Sequence, residues 1–190
     1  GFFFFFITEA NNEDALLVQY RTEKVEEATA FFGQYHDYDF AAGYYADTFK
    51  PLYDKLMENL QNATSFTGLM EQYAADYQAL IDAAANALDH DAIIASLRND
   101  LSQFPADLTT MDSTYKTLVQ KVQKVWAELN DYQKNLLTSN EIARLQAIAA
   151  VDADALPEPG DVSVSITING TLPFETKDYG VFTSASNHNK

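Results

Sequence analysis

Cysteine is absent from this chain of 190 residues. Without a thiol the protein has no disulfide framework, no thiolate metal site and no cysteine nucleophile. The absence does not fix the compartment, because cytosolic proteins and many proteins of bacterial surfaces both do without cysteine.

Basic residues are also scarce. The 12 Lys and Arg stand against 28 Asp and Glu, which gives a formal net charge of −16 and a sequence pI near 4.3. Proteins that bind phosphates cluster Lys and Arg, so the composition argues against DNA or RNA as a partner. Repulsion likewise disfavours adsorption to anionic lipid. Hydrophobic residues make up 47% of the chain, which is enough to fill a core.

Long hydrophobic runs are the third absence. No run approaches the roughly 18 apolar residues that span a bilayer. The opening segment Gly1-Phe2-Phe3-Phe4-Phe5-Phe6-Ile7 is too short for that and lacks the basic start of a signal peptide. Two interpretations stay open: the tail of a longer hydrophobic segment, or a β-strand that pairs with another segment. Because an exposed run of this kind would aggregate, we expect it to be covered.

Apolar residues recur at helical spacing from residue 11 to residue 151. This pattern predicts helices over about 11–34, 38–62, 66–88, 92–103 and 115–129, then a one-turn piece and a last helix capped by Thr138 and Ser139. Pro51 lies inside the second of these, so we expect a kink there or a fresh start at residues 47–50. The most regular stripe belongs to the fifth helix and consists of Tyr115, Leu118, Val119, Val122, Val125, Trp126 and Leu129.

The composition changes after Val151. Pro157, Pro159 and Gly160 mark residues 152–161 as a linker. Val162, Val164, Ile166 and Ile168 then alternate with polar residues, as in a half-buried strand, and Asn169-Gly170 is a hairpin turn signal. A lone hairpin is marginal in water, so this segment needs a partner. Three partners stay open for this segment: a further β domain, the apolar N-terminal segment, or a neighbouring molecule.

The region 93–150 carries a recognisable series: Phe104-Pro105-Ala106-Asp107-Leu108-Thr109, Met111-Asp112, Trp126-Ala127-Glu128-Leu129, Tyr132-Gln133-Lys134 and Leu137-Thr138-Ser139. It resembles the helical repeat modules of Gram-positive surface proteins, of which the FIVAR type is the best-known relative. This chain departs from their usual pattern at Phe104, Trp126 and Leu137. The resemblance implies a helical unit that serves as spacer, stalk or interaction module in a large secreted protein, and it carries over no functional residue.

Two clusters combine histidine with carboxylates: His36 with Asp37 and Asp39, and the run Asp89-His90-Asp91. A metal needs three or four ligands that converge on one point, whereas helix breaks and caps use the same residue types. We therefore interpret both clusters as caps and breaks. The sequence has no nucleophile elbow, and Asp152-Ala153-Asp154 lacks the glycine and closing glutamate of an EF-hand loop. We predict no catalytic residue, no metal site and no cofactor.

Aromatic residues crowd the region 35–53. Core packing accounts for Phe40, Tyr44 and Phe49, and the rest suit an interface to a protein or, by stacking, to a glycan. With the apolar ends added, the candidate interface residues are Tyr35, Tyr38, Tyr45, Tyr53, Phe3, Phe5, Val164 and Ile166. Asn62 and Asn169 begin glycosylation sequons, whose use depends on the organism.

These observations predict a mainly α protein, an elongated bundle of five or six helices with short β-strand segments at the N- and C-termini. The expected plan is an apolar strand-like segment over 1–10, a helical bundle over 11–151, a linker over 152–161, and a hairpin or strand segment with a tail over 162–190. The predicted function is a non-enzymatic structural or adhesive module of an extracellular bacterial surface protein, with a protein partner or self-association and no membrane span. Two alternatives stay open: a filament or surface-layer subunit joined by strand exchange through its termini, and a glycan-binding domain.

Overall fold

The computed structural model describes residues 9–160, with side chains from residue 12 onward. This part of the chain is mainly helical and contains no β-strand. Its seven α-helices are α1 (Glu9–Phe32), α2 (Lys50–Asn62), α3 (Phe66–Ala84), α4 (His90–Leu101), α5 (Lys116–Glu128), α6 (Asp131–Lys134) and α7 (Ser139–Ala149). The terminal strands predicted from the sequence lie outside the described residues, and so do Phe3, Phe5, Val164, Ile166 and the Asn169 sequon.

Helices α1, α2 and α3 pack into a first bundle with its own core. Each helix contributes apolar residues at helical spacing, such as Leu56 and Leu60 of α2, which are almost fully buried. Burial of one such leucine stabilises the fold by about 1.5–3 kcal/mol. The buried residues of this core are Leu17, Ala28, Phe40, Phe49, Leu56, Leu60, Leu69, Tyr73, Leu80, Ala83 and Ala84.

Proline at position 51 shapes the start of α2. A π-helical turn, Tyr45–Phe49, precedes α2, and the Lys50 amide donates to the carbonyl of Tyr45. Pro51 is the second residue of α2 and follows the π-helical turn directly, so the change in hydrogen-bond pattern falls at the residue that has no amide hydrogen. The sequence predicted a kink at Pro51 or a fresh start at residues 47–50, whereas the structure has a π-helical turn that continues into α2 without a break in the helical backbone.

Helices α4, α5 and α7 form a second bundle around a separate core. Its buried residues are Ile94, Leu97, Phe104, Met111, Val119, Val122, Leu129, Leu137, Leu145, Ile148 and Ala153. Thr138 and Glu141 form a capping box at the start of α7, as the sequence indicated for Thr138. The described residues therefore contain two hydrophobic cores, where the sequence suggested one continuous bundle.

Residues 152–160, interpreted from the sequence as a linker, pack against the second bundle. Ala153 is 8% exposed and belongs to the second core, inside a short 3₁₀ turn, Ala153–Ala155. The amide of Ser113 donates to the carbonyl of Pro157 over 2.7 Å. Lys116 and Asp154 form an ion pair at 2.8 Å. The segment up to residue 158 is thus held to the residues at the start of α5.

Candidate interaction site

The two bundles meet at a junction built from three stretches of chain: residues 36–42 before α2, residues 88–93 at the start of α4, and residues 125–133 from α5 into α6. The Leu88 amide donates to the Asp39 carbonyl over 2.7 Å. The Asn130 side-chain amide donates to the Tyr38 carbonyl over 2.8 Å, between residues 92 positions apart in the chain. Backbone atoms of the first bundle are therefore bound by groups of the second.

His90 lies at the centre of this junction, with a side chain that is 13% exposed. Its Nε2 is 3.0 Å from Oδ1 of Asp39, and its Nδ1 is 3.1 Å from Nε2 of Gln133. The second carboxylate oxygen of Asp39 accepts from the His36 amide over 2.7 Å. One imidazole thus joins the start of α4 to the 3₁₀ turn Asp37–Asp39 and to α6.

The side chain of Gln133 determines how His90 bonds. The Asn130 amide donates to Oε1 of Gln133 over 3.0 Å, which completes a capping box at the start of α6. This bond requires an oxygen at that position, so the NH₂ group of Gln133 faces His90 and donates to its Nδ1. His90 then carries its proton on Nε2 and donates to Asp39. Both ring nitrogens are engaged in structural hydrogen bonds.

A stack of rings covers the junction on its outer side. The rings of Tyr38 and Tyr132 are parallel within 9°, with centroids 4.2 Å apart. His36 stacks on Tyr38 with ring centroids 4.8 Å apart, and His90 lies 4.8 Å from Tyr132 at a tilt of 54°. Partial burial, followed by the negative charge of Asp39, raises the pKa of the Tyr38 phenol above its ordinary value. Tyr132 remains 40% exposed, so part of the stack is accessible from solvent.

Beside the stack runs an open hollow that we call the junction groove. It consists of an apolar part of about 540 Å³ and an adjoining part of about 340 Å³ that reaches Tyr38 and Tyr132. The two parts share Ala41, Ala42, Leu88 and Glu128. The apolar part is completed by Ile93, Val125, Ala127, Leu129 and Gln133, and the adjoining part by Asp37, Tyr38, Phe40, Asn130, Asp131 and Tyr132.

Small residues and one glycine keep the groove open. Ala41 and Ala42 stand in the turn before α2, and their short side chains leave space above Leu88. Gly43 ends this turn with φ of +84°, a conformation that other residues rarely adopt. The turn that forms one wall of the groove therefore depends on a glycine at this position.

The charged residues that line the groove are all acidic: Asp37, Glu128 and Asp131. Glu128 is the last residue of α5, where the helix dipole disfavours a carboxylate. Asp131 stands in the first turn of α6, where the dipole favours one. The groove thus combines an apolar floor, an aromatic face and a negative rim.

The structure distributes the interface residues predicted from the sequence over two places. Tyr38 lies at the junction groove. Tyr35, Tyr45 and Tyr53 are half-buried and pack on the first core, where Tyr53 stacks on Phe32 at 4.1 Å. Phe40 and Phe49 are buried, in agreement with their expected core role, whereas Tyr44 is half-buried and its hydroxyl donates to the Ala83 carbonyl over 2.9 Å.

Sequence reasoning missed Tyr132, the more exposed of the two stacked tyrosines. The signal was present, because Tyr132 falls between the two members of the Asn130–Gln133 capping box and outside the apolar stripe of α5. A tyrosine in a one-turn helix has little core to join and is therefore a candidate for exposure. The partner on which it stacks, Tyr38, is 94 positions earlier, and local patterns do not pair such residues.

The predicted histidine and carboxylate clusters act as caps and junction bonds. Asp89 accepts from the Ala92 amide over 3.0 Å at the start of α4, and Asp152 accepts from the Asp154 amide over 3.1 Å. Residues 9–160 contain no group of three or more His, Asp or Glu side chains placed to hold a metal ion. Over the same residues, no helix is long and apolar enough to cross a membrane.

Comparison with known proteins gives no match to this chain among protein-family models, curated proteins or solved structures. The resemblance of residues 93–150 to surface-protein modules therefore stays a prediction from the sequence. The residues that carry it have local structural roles. Asp107 and Asp112 each cap a 3₁₀ turn, and Phe104, Leu129 and Leu137 are buried in the second core.

Proposed function

We propose that this chain is a non-enzymatic structural and adhesive module of an extracellular bacterial surface protein. The observation that supports this best is the junction. A spacer or stalk has to keep its successive units in a fixed orientation, and here two separate cores are joined by backbone and side-chain hydrogen bonds and a stack of rings. The polar groups most suited to chemistry, His90 and Asp39, are used in that connection.

The chain of hydrogen bonds through Asp39, His90 and Gln133 also supports a structural role for the module. Asp39 bonds to His90 through one oxygen and to the His36 amide through the other, and His90 bonds to Gln133 of the next element. The two bonds to the Asp39 carboxylate are charge-assisted and are each worth about 1.5–3 kcal/mol when shielded from water, and the neutral bond between Gln133 and His90 is worth about 0.5–1.5 kcal/mol. A connection of several such bonds resists bending better than a flexible linker. This property suits a module that carries load between a surface and a ligand.

The proposed location is testable with antibodies raised against the purified chain. They should label intact cells of the organism that produces the protein, and protease added to intact cells should remove the label. An antibody against a cytoplasmic protein of the same cells serves as the control and should label only permeabilised cells. If the chain is labelled only after permeabilisation, the proposed extracellular role is wrong.

Two alternatives from the sequence have less support. Assembly into filaments by strand exchange depends on terminal segments that lie outside the described residues. Glycan binding draws on one described feature, the exposed face of Tyr132, which is the kind of ring on which sugars stack. The junction groove beside Tyr132, however, has an acidic rim and an apolar floor, and these favour a basic, partly apolar ligand over a sugar.

A further inference from the structure

The junction groove has a size and lining that structural packing alone does not require. Its apolar part, about 540 Å³, falls within the range of ligand pockets in proteins, which is roughly 300–1,000 Å³. Leu88, Val125 and Leu129 supply an apolar floor. A floor of this kind accommodates an aliphatic or aromatic side chain of a partner, and binding is favoured because apolar surface is removed from water.

The charge of the rim selects among partners. Asp37, Glu128 and Asp131 line the groove, and α5 ends there, so the negative end of its dipole adds to their field. An acidic ligand would be repelled. A second copy of this chain, with a net charge of −16, would be repelled as well.

The exposed ring of Tyr132 also favours a basic ligand. Tyr132 is 40% exposed and is held in place by its stack on Tyr38. A fixed, partly exposed ring beside carboxylates attracts a lysine or arginine side chain. Because the stack already exists without a ligand, binding would cost little ordering of these side chains.

We propose that the junction groove binds a basic segment of a partner protein, with an apolar side chain of that segment on the floor and a lysine or arginine against Tyr132, Glu128 and Asp131. This proposal rests on the proposed function, since it names the partner class of the adhesive module. The apolar floor distinguishes the site from the diffuse attraction that any acidic protein exerts on cations.

The test uses the full chain and fluorescence anisotropy of a labelled short peptide in which leucine and lysine alternate. A matched peptide has glutamate in place of lysine, and another has serine in place of leucine. The leucine–lysine peptide should bind, and its affinity should fall as NaCl is added, because salt screens the rim. The other two peptides should bind at least about tenfold more weakly, since each loses one of the two contributions. Equal binding of the peptides overturns the proposal.

A matched pair of variants separates the groove from the overall charge. The double variant Glu128→Gln with Asp131→Asn removes two rim carboxylates, and Glu58→Gln with Glu71→Gln removes two exposed carboxylates from the first bundle. Both change the net charge from −16 to −14, since each loses two negative charges. The rim variant should weaken peptide binding about threefold to tenfold, and the control should stay within about twofold of the wild type. Equal losses in both variants refute a specific site.

Two further measurements exclude other occupants. Tyr132→Leu keeps an apolar side chain at the stack but removes the ring, and it should weaken the leucine–lysine peptide about twofold to fivefold. Loss of the stack on Tyr38 should lower the unfolding temperature by only a few degrees, so the variant is still folded at the temperature of the binding assay. If a neutral oligosaccharide displaces the peptide, the groove binds a glycan and the proposal is wrong. If sedimentation shows dimers that exclude the peptide, the groove binds a second copy of the chain and the proposal is wrong as well. Labelling of intact cells does not depend on these results, so the failure of the peptide assay with successful labelling rejects the groove proposal alone.

Discussion

Replacement of Gln133 by methionine tests the junction most sharply, because the two side chains have similar volume and differ in hydrogen bonding. Gln133 is 2% exposed and both ends of its amide are bonded. Loss of its oxygen removes half of the capping box of α6, which costs about 0.5–2 kcal/mol. Loss of its NH₂ group leaves Nδ1 of His90 without its donor in a shielded position, which costs about 1–3 kcal/mol.

The expected total for Gln133→Met is therefore a destabilisation of about 1.5–5 kcal/mol. In a protein of this size, each kcal/mol lowers the unfolding temperature by about 2–4 °C. Circular dichroism during thermal and guanidinium unfolding measures both quantities. The matched control is Gln120→Met, which makes the same change at an exposed position of α5 and should stay within about 0.5 kcal/mol of the wild type.

A double-mutant cycle identifies the contact responsible. His90→Phe removes the acceptor that Gln133 serves, so the double variant should be less destabilised than the sum of the single variants by about 0.5–3 kcal/mol. The reasoning is refuted if Gln133→Met is no more destabilising than Gln120→Met, or if the effects of His90→Phe and Gln133→Met simply add.

The remaining predictions concern the two bundles separately. In the second bundle, the hydrogen bonds from Arg98, then from the Thr138 amide, lower the pKa of Glu141 to about 2. Because the pKa of Glu141 is lower in the folded state, its carboxylate stabilises the fold at pH values above the ordinary carboxyl pKa. That contribution is lost as the pH falls towards 2. Glu141→Gln should therefore flatten the decline of stability between about pH 4.5 and pH 2, measured by urea unfolding across that range; an unchanged slope contradicts the assignment. In the first bundle, Arg21 donates to the carbonyls of Leu60 and Ala63 at the end of α2, over 2.7 and 2.9 Å. Arg21→Met should lower the free energy of unfolding by about 1–3 kcal/mol with the urea m-value unchanged, and a loss below about 0.5 kcal/mol would show that water replaces the guanidinium.

The helical elements were accessible from the sequence because their signals are local. The stripe of α5, with Val119 and Val122 fully buried, follows from spacing alone, and the Thr138 cap follows from the residue types at the start of α7. Each of these depends on residues within a turn or two of one another. The mainly helical character follows in the same way.

The division into two cores and the junction groove were not accessible, because they depend on contacts between distant residues. His90 and Asp39 are 51 positions apart, and Asn130 and Tyr38 are 92 apart. The sequence showed His90 only as a polar residue beside a cap, which is correct locally but omits its partners. In the same way, Pro157 and Pro159 suggested a linker, although Ala153 between the last helix and these prolines is buried. Composition alone does not reveal such docking.

The claim on which the account depends is that the junction makes the two bundles one rigid unit. The absence of cysteine allows a direct test, because Glu58→Cys with Gln120→Cys places one spin label on the first bundle and one on the second without competing thiols. Distance measurement by pulsed electron paramagnetic resonance should give a single narrow distribution, and Gln133→Met should broaden it. A broad distribution in the otherwise wild-type chain would contradict the account.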